Sequence, residues 1–274
     1  MAAVLLAIAS AALFGAMTVA VRRGLAETEV AVATLSTILS ALVVTLVAAA
    51  VRPDLHGAWP FLLAGLLSPG SSQILFTMAI RAVGASRTSV TVGAAPLVAV
   101  GIALVFLHEP VRAPLLLGAG AIVCGGILLV AERRRPQHLR RYGIALAAGA
   151  TVFFATRDNL VRALHAHAHP GPAAAATMLA GAGVATVWAR RVPTRREVAR
   201  FMPAGLCFGL SYVALFEAYF RGRVTVVSPL VATESLWGVG LSWLLFRHSE
   251  AVGRRLAAGA VLVVAGGVLI GVAR

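Results

Sequence analysis

Four ionisable residues lie inside long apolar runs of the sequence: Arg157, Asp158, Glu217 and Glu234. A charged group inside a membrane-spanning helix is costly unless it is paired or hydrated, so such residues are candidates for a functional site. Glu234 or Asp158 would suit a proton carrier, because a buried carboxylate exchanges its proton as the surroundings change. Arg157 would suit a substrate carboxylate, because its planar guanidinium matches that group. The alternative is an internal ion pair that never touches a substrate.

Helical geometry predicts which carboxylate is the partner of Arg157. Asp158 is the next residue, so the two side chains leave a helix about 100° apart. We therefore expect Arg157 to pair with Glu217 or Glu234 on another helix. Glu217 also precedes Arg221 by four residues, a spacing that allows a simple bridge at a helix end.

Uncharged polar residues in the same runs would complete a binding cavity. Gln73 and Asn159 are the stronger pair, because a buried amide is costly to leave unpaired. Trp237 lies about one turn from Glu234, where its ring would stack on an aromatic or cationic substrate. Tyr212, Thr18, Thr91, Ser211 and Thr233 are further candidates. The alternative for all of them is a hydrogen bond to the backbone or to a neighbouring helix, or, for Trp237, packing against lipid or another helix.

The composition excludes a soluble protein. Of the 274 residues, 59% are hydrophobic and only 12% are charged, with a mean hydropathy of +0.90. Soluble domains carry about 25% charged residues. The net charge is +14, but the arginines form short clusters between apolar runs and no basic domain. We therefore expect topology signals that face the cytoplasm and anionic lipid, and no nucleic-acid partner.

The apolar runs predict an all-α integral membrane protein with ten transmembrane helices, each about 20 residues long. The predicted spans are 2–21, 31–51, 59–80, 86–107, 113–131, 143–164, 172–189, 201–221, 224–246 and 254–272. Most of the 24 arginines fall in the loops after odd-numbered spans. These loops should therefore be cytoplasmic and both termini extracytoplasmic. This topology predicts Glu234 near the midplane of the membrane, with Asp158 and Glu217 between the midplane and the outer face.

The chain also repeats itself, which divides it into two halves of five spans. The first half is 1–131, the second is 143–274, and an arginine-rich cytoplasmic linker, 132–142, joins them. Because five is odd, the two halves must be inverted relative to each other in the membrane. At a shift of 140, Gly65 and Ser71 match Gly205 and Ser211, and at a shift of 141, Glu109 matches Glu250.

The ionisable residues break this repeat. Thr77 stands in the first half where Glu217 stands in the second, and Val19 stands where Asp158 does. The charge is therefore confined to one repeat, an asymmetry that packing alone does not explain.

Ten spans in two halves, each with a glutamate before a glycine-rich last helix, resemble the EamA-type branch of the drug/metabolite transporter superfamily. The segments that carry the resemblance are 96–130 and 235–270, and it covers essentially the whole chain. It implies a secondary transporter, often an exporter of amino acids or other small metabolites. It also implies a central cavity lined by spans 1, 3, 4, 6, 8 and 9. The chain departs from the pattern at Phe153-Phe154, where the first half has Phe14-Gly15, and at Trp237, where the first half has Pro96.

Three functions follow as hypotheses. The first is an exporter of small polar metabolites such as amino acids, either proton-coupled or facilitative. The second is a multidrug exporter of lipophilic cations, which three internal carboxylates against one arginine would favour. The third is a membrane scaffold or lipid-carrier subunit, in which all four ionisable residues would form closed pairs. The sequence contains no nucleotide-binding loop, zinc motif or nucleophile elbow, so we expect no enzyme activity, metal or cofactor.

Two further features are predicted to be structural. Glu109 and Glu250 should each cap the helix that follows them. The glycine rows of spans 5 and 10 should allow close helix packing, either within one chain or between the chains of a homodimer.

The predicted topology has a direct test. A cysteine placed in the 132–142 linker should react with a membrane-impermeant thiol reagent from the cytoplasmic side only. Labelling from outside would overturn the arginine-based orientation.

Overall fold

The computed structural model describes residues 1–99, 102, 113–130, 142–246 and 253–272, and this part of the chain is helical with no β-strand. Glu109, Glu250 and the 131–141 segment lie outside the described residues. The helices are α1 (Ala2–Gly24), α2 (Val30–Val51), α3 (Pro60–Gly65), α4 (Ser72–Val83), α5 (Ala85–Val92), α6 (Ala113–Val130), α7 (Tyr142–Leu164), α8 (Pro170–Ala189), α9 (Arg195–Arg221), α10 (Val224–Val231), α11 (Glu234–Leu245) and α12 (Arg254–Val272).

Six segments of the described chain are long and apolar enough to cross a membrane. They are Ala2–Glu27, Val30–Val51, Pro60–Val83, Tyr142–Leu164, Pro170–Ala189 and Arg195–Arg221. They coincide with predicted spans 1, 2, 3, 6, 7 and 8. The apolar runs of the sequence therefore locate these helices well, because length and hydropathy are what a membrane span requires.

The last of these helices begins six residues before the predicted start. Thr194 and Glu197 form a capping box, in which the Thr194 side chain accepts a hydrogen bond from the Glu197 backbone and the Thr194 N–H donates to the Glu197 carboxylate. Arg191 adds an ion pair to the same carboxylate at 2.7 Å. A capping box satisfies backbone donors that a helix start would otherwise leave open. The helix therefore extends past the apolar run into the arginine-rich loop.

Span 3 contains a kink that hydropathy does not predict. Between α3 and α4 the segment Leu66–Ser71 winds as a π-helix, and Ser68 leaves helical geometry at φ −147°, ψ 120°. Pro69 follows it and has no backbone N–H to continue the helical ladder. The Ser68 carbonyl is satisfied from the other half of the chain, because the Tyr212 hydroxyl donates to it at 2.9 Å.

Spans 4 and 9 are predicted as continuous helices, but in each of them a two-residue turn interrupts the α-helix. The helix α5 ends at Val92 and α-helix resumes over residues 95–99, while Gly93 itself keeps right-handed helical geometry at φ −58°, ψ −12°. In the second half, α10 ends at Val231 and α11 starts at Glu234. The two breaks pack together, because a side chain on Gly93 would overlap the Ser235 hydroxyl. The N–H groups of Ala232 and Thr233 donate to the Ser228 and Leu230 carbonyls at 3.1 Å, so the turn keeps these backbone groups satisfied. Interrupted helices in the middle of a membrane protein are a common location for substrate sites.

The contacts between the two halves are reciprocal. The first helix of each half packs on the third span of the other: α1 lies against α9, and α7 lies against α4. Equivalent helices also pair directly, α2 with α8, α5 with α11 and α6 with α12. This exchange of equivalent contacts is what a two-fold relation between repeats produces. It brings the centres of α1, α7, α9 and α11 together in the middle of the molecule.

The glycine rows of α6 and α12 form an interface within the chain. A Cβ atom on Gly125 would lie 2.7 Å from the Gly259 carbonyl oxygen, and one on Gly266 would lie 2.5 Å from the Gly118 carbonyl oxygen. The absence of side chains at these positions lets the two backbones approach. Of the two roles predicted for these rows, packing inside one bundle is the one that the structure contains.

Two glycines of α6 provide a matched test of this packing. We expect Gly125→Val to lower the free energy of unfolding by about 1–3 kcal/mol, because the new side chain meets the α12 backbone. Gly120→Val is the control, since nothing lies within 4 Å of a Cβ atom there. Thermal unfolding in detergent measures both variants. Equal midpoints would contradict the proposed role of the glycine.

Candidate functional site

A cluster of buried polar side chains lies where the two halves meet. Arg157 and Asp158 project from α7, Tyr212 and Tyr219 from α9, and Glu234 from the first turn of α11. None of them exposes more than 5% of its surface. Three helices of the second half therefore direct ionisable or phenolic groups to one point in the interior.

Asp158 is the shared partner of the cluster. Arg157 Nε donates to Asp158 Oδ1 at 2.7 Å, and the Tyr219 hydroxyl donates to Asp158 Oδ2 at 2.8 Å. Both carboxylate oxygens thus accept a hydrogen bond, as a buried charge requires. Tyr219 was not among the residues singled out from the sequence, and nothing in its spacing separates it from an ordinary core tyrosine.

The predicted pairing of Arg157 with Glu217 or Glu234 is wrong. The prediction treated the two neighbouring side chains as rigid vectors 100° apart on the helix. The arginine stem is long and flexible, so its guanidinium folds back to reach the adjacent carboxylate at 2.7 Å. Sequence spacing alone does not determine this rotamer.

The guanidinium of Arg157 also stacks on aromatic rings. Its Cζ atom lies 4.9 Å from the Tyr212 ring centroid and 5.7 Å from the Phe154 ring centroid. Both distances are within the range of a cation–π interaction. Its Nη1 atom is buried, and no residue of the described chain accepts a hydrogen bond from it. Arg157 therefore keeps one guanidinium nitrogen, Nη1, whose N–H groups the described residues do not use.

Glu234 differs from Asp158 in having no partner. It is 5% exposed and makes no hydrogen bond or ion pair with the residues that the structure describes. It begins α11 directly after the break in span 9. The N-terminal end of a helix favours a negative charge, which partly offsets the cost of burying this carboxylate.

One central cavity is lined by Arg157, Asp158, Tyr212 and Glu234. The other lining residues are Ser10, Phe14, Val92, Ala95, Phe154, Ser211, Leu215 and Val231. Its volume is about 30 Å³, which is close to the volume of a single water molecule. Five of the six spans predicted to line a cavity contribute to it, and span 3 does not. The space at the centre of the molecule is thus too small for a metabolite.

Aromatic rings and a serine pair form the walls of this cavity. Phe14 and Phe154 touch edge to face, with ring centroids 5.7 Å apart. Ser10 Oγ donates to the Ser211 carbonyl at 2.9 Å, and Ser211 Oγ donates to the Ser10 carbonyl at 2.8 Å. The predicted polar residue Ser211 is therefore satisfied across helices, and it joins α1 to α9. The Phe14-Gly15 motif was the available signal for an aromatic wall.

Glu217 lies away from the central cavity, which corrects its grouping with the other two carboxylates. It forms an ion pair with Arg221, at 2.8 Å to Nε and 2.5 Å to Nη2, and its side chain is 28% exposed. This is the bridge at a helix end that the four-residue spacing allows.

Three further candidates also lie outside the cavity lining. Asn159 Nδ2 donates to the Ala155 carbonyl at 2.8 Å. Gln73 is fully buried, with Nε2 3.9 Å from Met17 Sδ. Trp237 is 44% exposed and its Cβ packs against Gly15, which corresponds to the packing alternative for this residue. The sequence correctly predicts that these residues lie in membrane helices. It does not predict which side of each helix faces the central cavity.

The Arg157–Asp158 pair predicts a non-additive stability effect. Arg157→Gln should lower the free energy of unfolding by about 3–5 kcal/mol, because it leaves Asp158 buried and uncompensated. The double variant Arg157→Gln/Asp158→Asn should recover most of that loss. Arg221→Gln is the matched control, and its exposed pair should contribute no more than about 1 kcal/mol. Thermal unfolding in detergent measures all three variants, and a double variant no more stable than the single one would contradict the pairing.

Comparisons with known proteins agree with this architecture. The chain is similar to a solved crystal structure, described only as that of a protein, with a TM-score of 0.72 and 18% sequence identity over 97% of this chain and 95% of that one. This likeness concerns the fold alone. No curated protein matches the sequence significantly. The profile of the EamA-like transporter family matches twice, over residues 1–131 and 141–272. The chain is therefore a multi-pass membrane protein that belongs to the EamA-like transporter family.

Proposed function

We propose that this protein is a secondary transporter that exports small zwitterionic metabolites, such as amino acids, through the central cavity. The observation that carries the proposal is that Arg157 and Glu234 line the same cavity. No described residue accepts a hydrogen bond from Arg157 Nη1, and Glu234 forms no hydrogen bond or ion pair with the described residues. The unpaired Nη1 of Arg157 suits a substrate carboxylate. The carboxylate of Glu234 suits a substrate ammonium group. The two groups together match a zwitterion.

The aromatic walls define the rest of the proposed substrate. Phe14, Phe154 and Tyr212 surround the polar groups with apolar surface. An amino acid bound between Arg157 and Glu234 would place its side chain against these rings. We therefore expect apolar and aromatic amino acids to bind more tightly than acidic ones, whose extra carboxylate would face Asp158 or Glu234.

Transport in this proposal uses alternating access between two inverted halves of five helices each. The proposed topology has ten helices, divided between the halves 1–131 and 143–274, and both termini are extracytoplasmic. In this proposal the small cavity of about 30 Å³ corresponds to a state between the outward-open and inward-open forms. The breaks in spans 4 and 9 are the positions where each helix bends as the cavity opens, since a helix interrupted at its middle has two independently movable ends.

Proton coupling is assigned to Glu234. A carboxylate without an internal partner exchanges a proton for a substrate cation at little structural cost. Asp158 is less suited, because protonation would break its contacts with Arg157 and Tyr219. A proton that enters from outside would displace the substrate ammonium from Glu234 and drive export.

A multidrug exporter of lipophilic cations is the second candidate. Asp158 neutralises Arg157, so the negative charge of Glu234 is the net charge of the aromatic cavity. A negatively charged aromatic cavity would favour a lipophilic cation. The scaffold hypothesis accounts for the closed pairs Arg157–Asp158 and Glu217–Arg221, but not for a buried Glu234 that lines a cavity.

The test compares two glutamate variants in purified protein and in proteoliposomes. Ligands are a panel of amino acids and lipophilic cations, and the readouts are binding, proton release and gradient-driven transport. We expect Glu234→Gln to abolish ligand-dependent proton release and to weaken binding about thirtyfold or more, as loss of one partner of a buried charge pair does. Glu217→Gln is the matched control and should behave as wild type, because Glu217 lies outside the cavity.

The outcomes separate the candidate functions. Loss of amino-acid binding in Arg157→Gln/Asp158→Asn supports the zwitterion site, whereas retained cation binding without amino-acid binding in the wild type supports the multidrug alternative. If substrate binds equally to wild type and Glu234→Gln and neither releases protons, transport is facilitated diffusion. Glu234 then has no role in proton coupling. No binding or transport of any ligand would overturn both transporter proposals.

A further inference from the structure

A second, much larger groove lies on the outside of α1, separate from the central cavity. Its volume is about 590 Å³, within the range of about 300–1,000 Å³ that small-ligand sites occupy. Small residues of α1, Ala16, Ala20 and Gly24, form its floor. Pro203 of α9 lines one wall, and Leu241 and Leu245 of α11 line another.

The groove is on the opposite side of α1 from the proposed transport site. Phe14 and Ser10 line the central cavity and lie about 40° apart around the helix. Ala16, Arg23 and Ala20 lie about 200°, 180° and 240° around from Phe14, at 100° per residue. In addition, Trp237 packs against Gly15 between the two spaces. The groove shares no lining residue with the central cavity, and it is open at the surface of the molecule, where Leu245 is 58% exposed.

The groove runs from the interior of the membrane to its surface. From Ala16 to Arg23, where its charged end begins, α1 rises about 10 Å at 1.5 Å per residue. This apolar part is shorter than the half-thickness of a typical hydrocarbon core, which is about 15 Å. The deep end of the groove is apolar and its shallow end carries Arg23, Glu27 and Arg200. An apolar channel with a charged mouth at the level of the headgroups matches the shape and polarity of one phospholipid.

Among the described residues, one cation at the mouth has no partner. Arg200 Nη2 pairs with Glu27 at 2.7 Å, and its Nη1 donates to Thr28 Oγ1 at 3.2 Å. Arg23 is exposed and makes no hydrogen bond or ion pair with the described residues. The three side chains together have a net charge of +1. That charge is complementary to a single phosphodiester.

We propose that this groove, formed by α1, α9 and α11, binds one anionic phospholipid from the leaflet that meets the Arg23 end of the molecule. The phosphodiester binds Arg23 and the outer face of Arg200, and an acyl chain lies along Ala16 and Ala20 between the two walls. Because α1 also lines the central cavity from its other face, the lipid is positioned to influence how α1 moves against α9 and α11. The binding itself does not depend on the proposed transport function.

The experiment measures lipid retention by native mass spectrometry. The delipidated full-length protein is titrated with phosphatidylglycerol and with phosphatidylcholine of identical acyl chains. We expect a preference for phosphatidylglycerol that falls about fivefold in Arg23→Gln, the effect of one arginine near an anionic membrane surface. Glu27→Gln should raise the preference, because it releases Arg200 for the phosphate.

Two controls locate the site. Arg190→Gln removes an exposed arginine that does not line the groove, and it should leave the preference unchanged. Ala20→Phe fills the groove and should reduce retention of both lipids. An equal preference in wild type and Arg23→Gln, or no change in Ala20→Phe, would overturn the proposal. Displacement of phosphatidylglycerol by glycerol 3-phosphate at equal concentration would also overturn it, because the site would then recognise phosphate without the lipid.

Discussion

The cost of holding a guanidinium in the interior of a membrane protein governs the centre of this structure. Arg157 is 4% exposed, and an uncompensated charge there would destabilise the fold. Asp158 supplies the countercharge, Tyr219 completes the hydrogen bonding of that carboxylate, and the ring of Tyr212 covers the guanidinium. These groups come from α7 and α9, so the polar cluster also fixes how those two helices of the second half face each other.

Irregular helices supply the other half of this arrangement. The kink at Pro69 releases the Ser68 carbonyl, which accepts the Tyr212 hydroxyl and joins the first half to the aromatic ring that covers Arg157. The break before Glu234 places a helix start, and with it a favourable dipole, at the second buried carboxylate. Backbone groups at membrane depth are tolerated only where the protein satisfies them. Here the kink at Ser68 lies at the Tyr212 hydroxyl, and the interruption of span 9 lies at the Glu234 carboxylate.

The sequence predicts the positions of the helices better than it predicts which residues line the central cavity. The apolar runs locate six spans, because hydropathy and length are properties of a single segment. Hydropathy averaged over a whole run does not reveal the interruptions at Gly93 and before Glu234, although Pro96 and the polar residues Thr233 and Ser235 lie beside them. The candidate list includes Arg157, Asp158, Glu234 and Tyr212, because charge in a membrane helix is visible in the sequence. It also includes Glu217 and Trp237, because the side of a helix that faces the centre depends on packing between segments far apart in the chain.

Arg87 is buried in α5 of the first half, so buried charge is not confined to the second half, but the charges that line the central cavity are. This asymmetry of the cavity has a consequence for the energy of the whole cycle. In a transporter of inverted repeats, exchanging the conformations of the two halves converts one facing state into the other. Identical halves would make those end states equal in energy. Here Arg157, Asp158 and Glu234 have no charged equivalents in the first half. The protein without substrate is therefore expected to favour either the outward-open or the inward-open state. Binding of a substrate or proton has to supply the free energy that shifts it to the other state.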